Sequence, residues 1–199
     1  QTTAVSVEYM VDAGVTAEDI RQFLVYESKR YMEEIDENFS GIYGLFDGTY
    51  IDGIGWVPDA DYDPKTRDWY IVASQAKGEP AIASPYLDAQ TNTIMLSVCQ
   101  MLKDGESVLS LDIKMDRIQE ITEKIRLNNV GYGFVMDKSG LVIAHSDSKE
   151  KGKNYLDKNS QFIDLVNQVQ KKEKSCFEIN LRGETVTVFS DTVMDDWSV

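Results

Sequence analysis

A small set of side chains could together bind a molecule that carries both a negative and a positive charge. Arg67 offers a planar fork that can bind a carboxylate through two hydrogen bonds. The indole N–H of Trp69 can donate a further bond to the same anion. Asp88 and Asp112 are acceptors suited to an ammonium group, and Tyr86 adds another oxygen. The set complements a zwitterion, and a free α-amino acid is the simplest molecule of that kind.

Two interpretations of these side chains stay open on residue types alone. Two carboxylates brought together repel each other and raise an apparent pKa, so an ammonium ligand placed between Asp88 and Asp112 would relieve that repulsion. Alternatively, Arg67 pairs with Asp63 or Asp68 on the surface, and the aromatic residues are packed in the core. The first interpretation predicts a binding site, and the second predicts none.

Composition and charge exclude several classes of partner. The chain has 199 residues with 42% hydrophobic and 27% charged residues, which suits one large domain or two small ones. The net charge of −14 argues against nucleic acid or an anionic membrane surface as the main partner, because both need clustered Lys and Arg. There is no glycine-rich phosphate loop, and the sequence predicts no cofactor.

A possible calcium motif fails on inspection. Asp59, Asp61 and Asp63 have the alternate spacing that begins an EF-hand loop. The sixth position of that loop would be Pro64 where glycine is required, and the twelfth would be Tyr70 where a glutamate must chelate. The sequence therefore predicts no metal site.

The chain also lacks an ordered catalytic set. His145 is the sole histidine, so no Ser-His or Cys-His arrangement can be assembled, and its position after an apolar run predicts a strand end. Cys99 and Cys176 are far apart without CxxC spacing, and we expect two buried free thiols. The chain is expected to bind a ligand and not to be an enzyme.

The hydrophobic pattern predicts alternating helical and strand segments. A helix is expected over 16–37, where Thr16 and Asp19 resemble a capping pair, and Asp47-Gly48 predicts a tight hairpin. The remaining predicted strands are at 42–46, 49–51, 81–88, 93–102, 107–115, 175–181 and 184–192, with a further strand, turn and strand over 132–143. The remaining predicted helices are at 69–77, 116–127 and 160–171. Strands joined by tight turns with helices beside them indicate an α+β fold with antiparallel sheets. A weak repeat of strand, turn and strand about 90 residues apart favours two modules.

One block of residues resembles a known family of receptor domains. The run from Tyr62 to Tyr70, followed by Pro85-Tyr86-Leu87-Asp88 and later by Asp112, resembles the double Cache (dCache) sensor domains. Within that family the block is similar to the motif of the amino-acid-binding subset, at Tyr62, Arg67, Trp69, Tyr70, Asp88 and Asp112, with Tyr86 at the accompanying tyrosine. Asp68 stands where many relatives have proline, which we interpret as a difference in loop rigidity.

The resemblance implies an architecture and a role for each residue. It implies two tandem PAS-like modules, each an antiparallel sheet flanked by helices, with an N-terminal helix. Residues 1–117 would form the membrane-distal ligand-binding module and 118–199 the membrane-proximal one. The implied contacts are Arg67 and Trp69 to the ligand carboxylate, Tyr86, Asp88 and Asp112 to the α-ammonium, and Tyr62 and Tyr70 as pocket walls.

The resemblance also implies a cellular setting. The domain would lie on the extracytoplasmic face of a bacterial membrane, as a fragment between two transmembrane helices of a homodimeric receptor. Its ligand would be a free L-amino acid, and its output a histidine kinase, a chemotaxis module or a cyclic-dinucleotide enzyme. The abrupt first and last residues agree with an excised fragment.

Other functions remain open at the level of sequence. The domain could instead sense an amine, a purine or an organic acid, although an amine would not need Arg67 and an organic acid would leave Asp88 and Asp112 unpaired. An extracellular hydrolase that uses carboxylates, and an adhesion module without a small ligand, are further alternatives. The residues that select the ligand side chain are expected within 50–61.

Overall fold

A computed structural model describes residues 2–87, 93–125, 131–158, 160–171, 175–181, 183–193 and 197–199. The chain divides into two units, Gln1–Lys114 and Met115–Val199. The sequence placed this division between residues 117 and 118, slightly further along the chain. No helix in the described ranges is long and apolar enough to cross a membrane.

The first unit is an antiparallel sheet with helices on both faces. The strand order is β2-β1-β6-β5-β3, and β4 also pairs with β5. Its elements are α1 (Thr2–Asp12), α2 (Ala17–Arg30), a π-helical turn (Tyr31–Ile35), β1 (Phe39–Phe46), β2 (Thr49–Asp52), a 3-10 turn (Pro64–Thr66), α3 (Asp68–Gln75), β3 (Ala81–Ile82), β4 (Tyr86–Leu87), β5 (Ile94–Met101) and β6 (Val108–Lys114).

Alternation along β1 separates the two faces of this sheet. Ile42 and Phe46 pack with Leu24 in a core cluster beneath α1 and α2. Tyr43 and Leu45 face the other way, into the cluster that holds α3. The predicted hairpin is confirmed, since Phe46 pairs with Thr49 across the Asp47-Gly48 turn.

Two features of the helices differ from the prediction. The helix predicted over 16–37 is α-helical only to Arg30 and continues as the π-helical turn, although its Thr16 cap forms as expected, with the Asp19 N–H donating to the hydroxyl oxygen at 3.2 Å. α1 was missed because it is rich in threonine and valine, which are poor helix formers. Packing of Ala4 and Val7 against α2 and the sheet overrides that low propensity.

The second unit is also antiparallel α+β. One sheet has the order β11-β12-β7-β8, and β9 and β10 form a separate hairpin. Its elements are α4 (Asp116–Glu123), β7 (Phe134–Asp137), β8 (Val142–His145), a 3-10 turn (Ser148–Glu150), α5 (Ile163–Lys171), β9 (Cys176–Leu181), β10 (Glu184–Phe189), β11 (Thr192–Val193) and β12 (Trp197–Ser198). The predicted α+β class with flanking helices is thus confirmed.

The second unit has an aromatic core, and the positions of His145 and of the two cysteines can be compared with the predictions. Tyr155 and Phe162 stack with ring centres 4.2 Å apart, in a cluster with one face of α5. His145 lies at the end of β8 as predicted, and burial lowers its pKa. Both cysteines are free thiols; Cys99 is buried in the first unit, but the prediction of a buried Cys176 is wrong, because that residue lies on an exposed face of the β9–β10 hairpin.

Adjacent positions on α2 provide a test of this packing. Leu24 is 0% exposed and Val25 is 46% exposed. Leu24→Ala is expected to lower the free energy of unfolding by about 2–5 kcal/mol, because it leaves a cavity in the core. Val25→Ala should change it by less than about 0.5 kcal/mol. Urea unfolding followed by the fluorescence of the first unit's tryptophans measures both, and equal losses would contradict the packing of α2.

Candidate functional site

A cavity of 580 Å³ opens on the face of the first sheet that carries α3. This volume is within the range of small-molecule pockets. Its walls come from β1, β2, β4, β5 and β6, from the loop that follows β2, and from the start of α3. Side chains from distant parts of the sequence therefore meet at one place.

The carboxylate of Asp112 is held by three hydroxyl groups from three other strands. Ser97 on β5 donates to Oδ1 at 2.6 Å, and Tyr43 on β1 donates to the same oxygen at 3.0 Å. Tyr86 on β4 donates to Oδ2 at 2.8 Å. The sheet register explains the convergence, since Asp112 lies opposite Ser97 on one side and Gly41 on the other.

The surroundings of Asp112 make its negative charge costly. Burial raises the pKa of this carboxyl above its ordinary value, while the three hydroxyl donors lower it. The negative charge of Asp52, on the other side of β1, raises it further. The described side chains that hydrogen-bond to Asp112 are hydroxyl donors and not cations, so a positively charged ligand would stabilise the ionised form.

A second group of side chains on the cavity wall presents donors. The Arg67 Cζ atom lies 4.5 Å from the centre of the Tyr62 ring, a cation–π arrangement. Burial raises the pKa of the Tyr62 hydroxyl, and the nearby Trp69 and Arg67 donors oppose that rise. Within the described ranges Arg67 forms no ion pair with Asp63 or Asp68. The structure therefore does not contain the surface ion pair that the alternative interpretation of Arg67 predicts.

Local sequence explains how Arg67 and Trp69 are positioned. The Asp63 carboxylate accepts the Lys65 N–H at 2.9 Å and begins a 3-10 turn whose first residue is Pro64. This turn runs into α3, where the Asp68 carboxylate accepts the Ser84 N–H at 2.9 Å. That bond ties the start of α3 to the segment before β4, so Asp68 restrains this loop by a hydrogen bond.

The structure brings together most of the residues singled out from the sequence, but not all of them. Tyr70 is not among the described residues that line the cavity. Its ring packs on Trp69, and its hydroxyl donates to the Glu106 carbonyl at 3.1 Å. Asp88 lies outside the described residues. The predicted residues that line the cavity are Tyr62, Arg67, Trp69, Tyr86 and Asp112.

Several wall residues were not predicted as individual ligand contacts, although three of them, Tyr50, Asp52 and Trp56, lie within the 50–61 segment expected to select the ligand side chain. Tyr43 and Ser97 hold Asp112, and Asp52, Tyr50 and Trp56 line the same cavity. The rings of Tyr50, Trp56 and Tyr62 contact each other edge to face, with centres 5.1–5.6 Å apart. Two sequence signals could have placed Tyr43 and Asp52 on the cavity face, namely strand alternation and the register of the Asp47-Gly48 hairpin. The two residues pair directly across that hairpin.

Comparison with known proteins assigns the fold to a family. The sequence profile described as "Cache domain" matches residues 7–199. Among solved structures, the ligand-binding domain of Mlp24 with asparagine superposes with a TM-score of 0.69 at 22% identity, over 98% of this chain and 83% of that one. This likeness establishes a shared fold.

Curated relatives are bacterial chemotaxis receptors. The methyl-accepting chemotaxis protein McpB of Bacillus subtilis (strain 168) is 33% identical over 135 residues, which is 62% of this chain and 20% of McpB. McpA of the same organism is 37% identical over 135 residues, which is 66% of this chain and 19% of McpA. The chain thus spans about a fifth of the length of these relatives.

The hydrogen bonds to Asp112 can be tested without any ligand. Ser97→Ala is expected to raise the pKa of the Asp112 carboxyl by about one pH unit, because a charge-assisted hydrogen bond to the ionised form is lost. A carbon-13 NMR titration of the carboxyl group measures the midpoint. Ser84→Ala is the control, since Ser84 also lines the cavity but has no contact with Asp112. An unchanged or lower midpoint in Ser97→Ala would contradict the arrangement.

Proposed function

The chain belongs to the Cache domain family, and we propose that its first unit binds a free L-α-amino acid as the extracytoplasmic sensor of a bacterial transmembrane receptor. The observation that carries the proposal is one cavity with an acceptor end and a donor end. The Asp112 carboxylate, fixed by Tyr43, Ser97 and Tyr86, would receive the α-ammonium. Arg67 and Trp69 would receive the carboxylate.

The charges favour an occupied cavity. Asp112 is costly to keep ionised while its described partners are hydroxyl groups, and an ammonium ligand would offset that cost. Each charge-assisted hydrogen bond contributes about 1.5–3 kcal/mol before desolvation is subtracted. A few such bonds support an affinity of about 1 µM, which corresponds to about 8 kcal/mol.

The relatives supply independent support for this class of function. McpB and McpA are chemotaxis receptors by name, and the Mlp24 domain was solved with asparagine. The proposal therefore concerns ligand binding and not turnover. In the full-length receptor we propose membrane anchoring, a homodimer and a population shift between two states on binding.

A sensor of amines is the second candidate, and the charge of the cavity favours it. The charged residues on the described cavity wall are Asp52, Asp68 and Asp112 against a single cation, Arg67. An amine would use Asp112 and leave Arg67 without a role. Amines that correspond to decarboxylated amino acids distinguish the two functions, because they should bind weakly if Arg67 holds a carboxylate.

The first test is a ligand screen on protein freed of carried-over ligand by unfolding and refolding. Thermal shift with the twenty L-amino acids, their amines, purines and organic acids should show stabilisation by at least one L-amino acid. Calorimetry should then show that Asp112→Asn and Arg67→Ala each weaken that ligand by at least about tenfold, since each removes a charge-assisted bond. The N-acetylated form of the ligand, which lacks the ammonium, should not bind.

Matched controls separate site effects from general ones. Asp12→Asn changes an exposed residue and Arg21→Ala a half-buried one, both outside the cavity wall, and both should leave the affinity unchanged. If no L-amino acid stabilises the protein, the proposal is wrong. If the amine alone binds as tightly as the amino acid and Arg67→Ala has no effect, the amine sensor replaces it.

The second test is the pH dependence of affinity. Binding needs the ionised form of Asp112, and burial raises the pKa of that group, so affinity should fall as pH is lowered toward its raised pKa. Above about pH 4 the ligand ammonium remains charged and the ligand carboxylate remains mostly ionised. Calorimetry between pH 7.5 and 4.5 measures the loss, and Asp112→Asn should flatten it. An affinity that rises on acidification would place the ammonium elsewhere.

A further inference from the structure

Two carboxylates line the cavity on either side of β1. Asp52 on β2 pairs with Tyr43, and Asp112 on β6 pairs with Gly41. Tyr43 and Gly41 are two residues apart on one strand, so their side-chain positions share a face of the sheet. All four residues line the cavity. The acceptor group at Asp112 therefore has a second acceptor group nearby, across a single strand.

Asp52 is fixed in place by the loop that follows β2. Its Oδ1 accepts the N–H of Ile54 at 2.7 Å and the N–H of Trp56 at 3.1 Å. Its Oδ2 accepts the Tyr50 hydroxyl at 3.2 Å. Asp52 is only 5% exposed, and in the described part of the chain no Lys or Arg pairs with it. A buried carboxylate of this kind keeps acceptor capacity on Oδ2 and a negative charge that no described side chain neutralises.

The cavity floor between the two carboxylates is formed by Gly41 with the Ile54 side chain packed over it. Gly41 has φ of 151°, and a Cβ atom built on it would lie 2.7 Å from the Ile54 side chain. Ile54 therefore rests directly over the backbone of β1, where any larger residue would displace it. Since both residues line the cavity, this close approach sets the shape of the floor between Asp52 and Asp112.

The wall beside Asp52 is aromatic. Tyr50 and Trp56 lie edge to face at 5.6 Å, and both line the cavity with Asp52. Aromatic faces attract cations and N–H donors and do not attract carboxylates, because the ring face carries partial negative charge. A ring face presented to the ligand here would share the preference of the Asp52 charge for cations and N–H donors.

We propose that Asp52 is a specificity-determining residue that admits amino acids with carboxamide or cationic side chains and excludes aspartate and glutamate. The inference rests on the proposed function, in which Asp112 and Arg67 hold the ligand's ammonium and carboxylate. The ligand side chain then extends along the floor of Gly41 and Ile54 toward Asp52. An N–H donor is accepted by Oδ2 of Asp52 and the Tyr50 oxygen, whereas a carboxylate meets a buried like charge.

Isosteric ligand pairs test this directly. Asparagine and aspartate differ in one group, as do glutamine and glutamate, so their affinity ratios report the side-chain end alone. In the unaltered protein at pH 7.5, at least one carboxamide should bind, and it should bind at least about tenfold more tightly than its acid, because like charges across an interface are strongly unfavourable. Calorimetry or competition against the tightest ligand gives each ratio.

Asp52→Asn separates charge from loop structure. Its remaining oxygen can still accept the Ile54 and Trp56 N–H groups, so the loop is retained while the charge is removed. In this variant the ratio of carboxamide affinity to acid affinity should fall toward one, mainly because the acidic ligand binds better than it does to the unaltered protein. Asp12→Asn removes an exposed carboxylate outside the cavity and should leave the ratio unchanged.

The outcomes separate this inference from the function on which it rests. Binding of any L-amino acid with aspartate and asparagine equal, or with neither carboxamide accepted, overturns the role of Asp52 and leaves the proposed function standing. If Asp52→Asn leaves the carboxamide-to-acid affinity ratio undiminished, the proposed role of Asp52 is overturned as well. Absence of binding by every L-amino acid removes both. A circular dichroism melt of Asp52→Asn verifies that the variant is folded.

Discussion

The first unit is organised around a half-buried negative charge, the Asp112 carboxylate. A carboxylate taken out of water needs a cation or several donors, and the described residues give it three hydroxyl groups. Those donors come from β1, β4 and β5, while Asp112 itself is on β6, so the charge is tolerated only when four strands pair in one register. The raised pKa of Asp112 shows that the donors compensate burial incompletely. The same incompleteness would contribute binding energy to a cationic ligand.

The strand that supplies the floor of the cavity also supplies the packing surface for the helices. Gly41 and Tyr43 face the cavity, whereas Ile42 between them packs beneath α1 and α2, and its N–H donates to the buried Ser28 hydroxyl at 2.9 Å. A ligand that displaced β1 through Tyr43 would therefore act on α2 through the adjacent residue, Ile42. Close-packed interiors resist gradual deformation, so a shift of this kind favours one discrete packing over another.

The sequence predicts the parts of this arrangement that depend on local rules. The Asp47-Gly48 turn determines the β1–β2 register, which is enough to place Asp52 opposite Tyr43, and alternation along β6 is enough to separate Asp112 from Leu111. The pairing of β1 with β6 joins segments far apart in the chain, and no local signal specifies it. The same limit explains why α1 was missed, since tertiary packing forms this helix against its own propensity.

The two ends of the cavity are unequally prepared for a ligand. Asp112 is held by three hydrogen bonds in the middle of a sheet, whereas Arg67 is exposed at the junction of a 3-10 turn and α3, with its guanidinium over the Tyr62 ring. An acceptor fixed in advance loses little conformational entropy on binding, while a long exposed side chain loses more. For the proposed ligand, recognition of the ammonium would therefore be the more rigid contribution, and recognition of the carboxylate would be the more adaptable one. Rigid contacts discriminate ligand geometry most sharply. We therefore expect the selectivity of the site to reside on the acidic side of the cavity, where Asp112 and Asp52 lie on either side of β1.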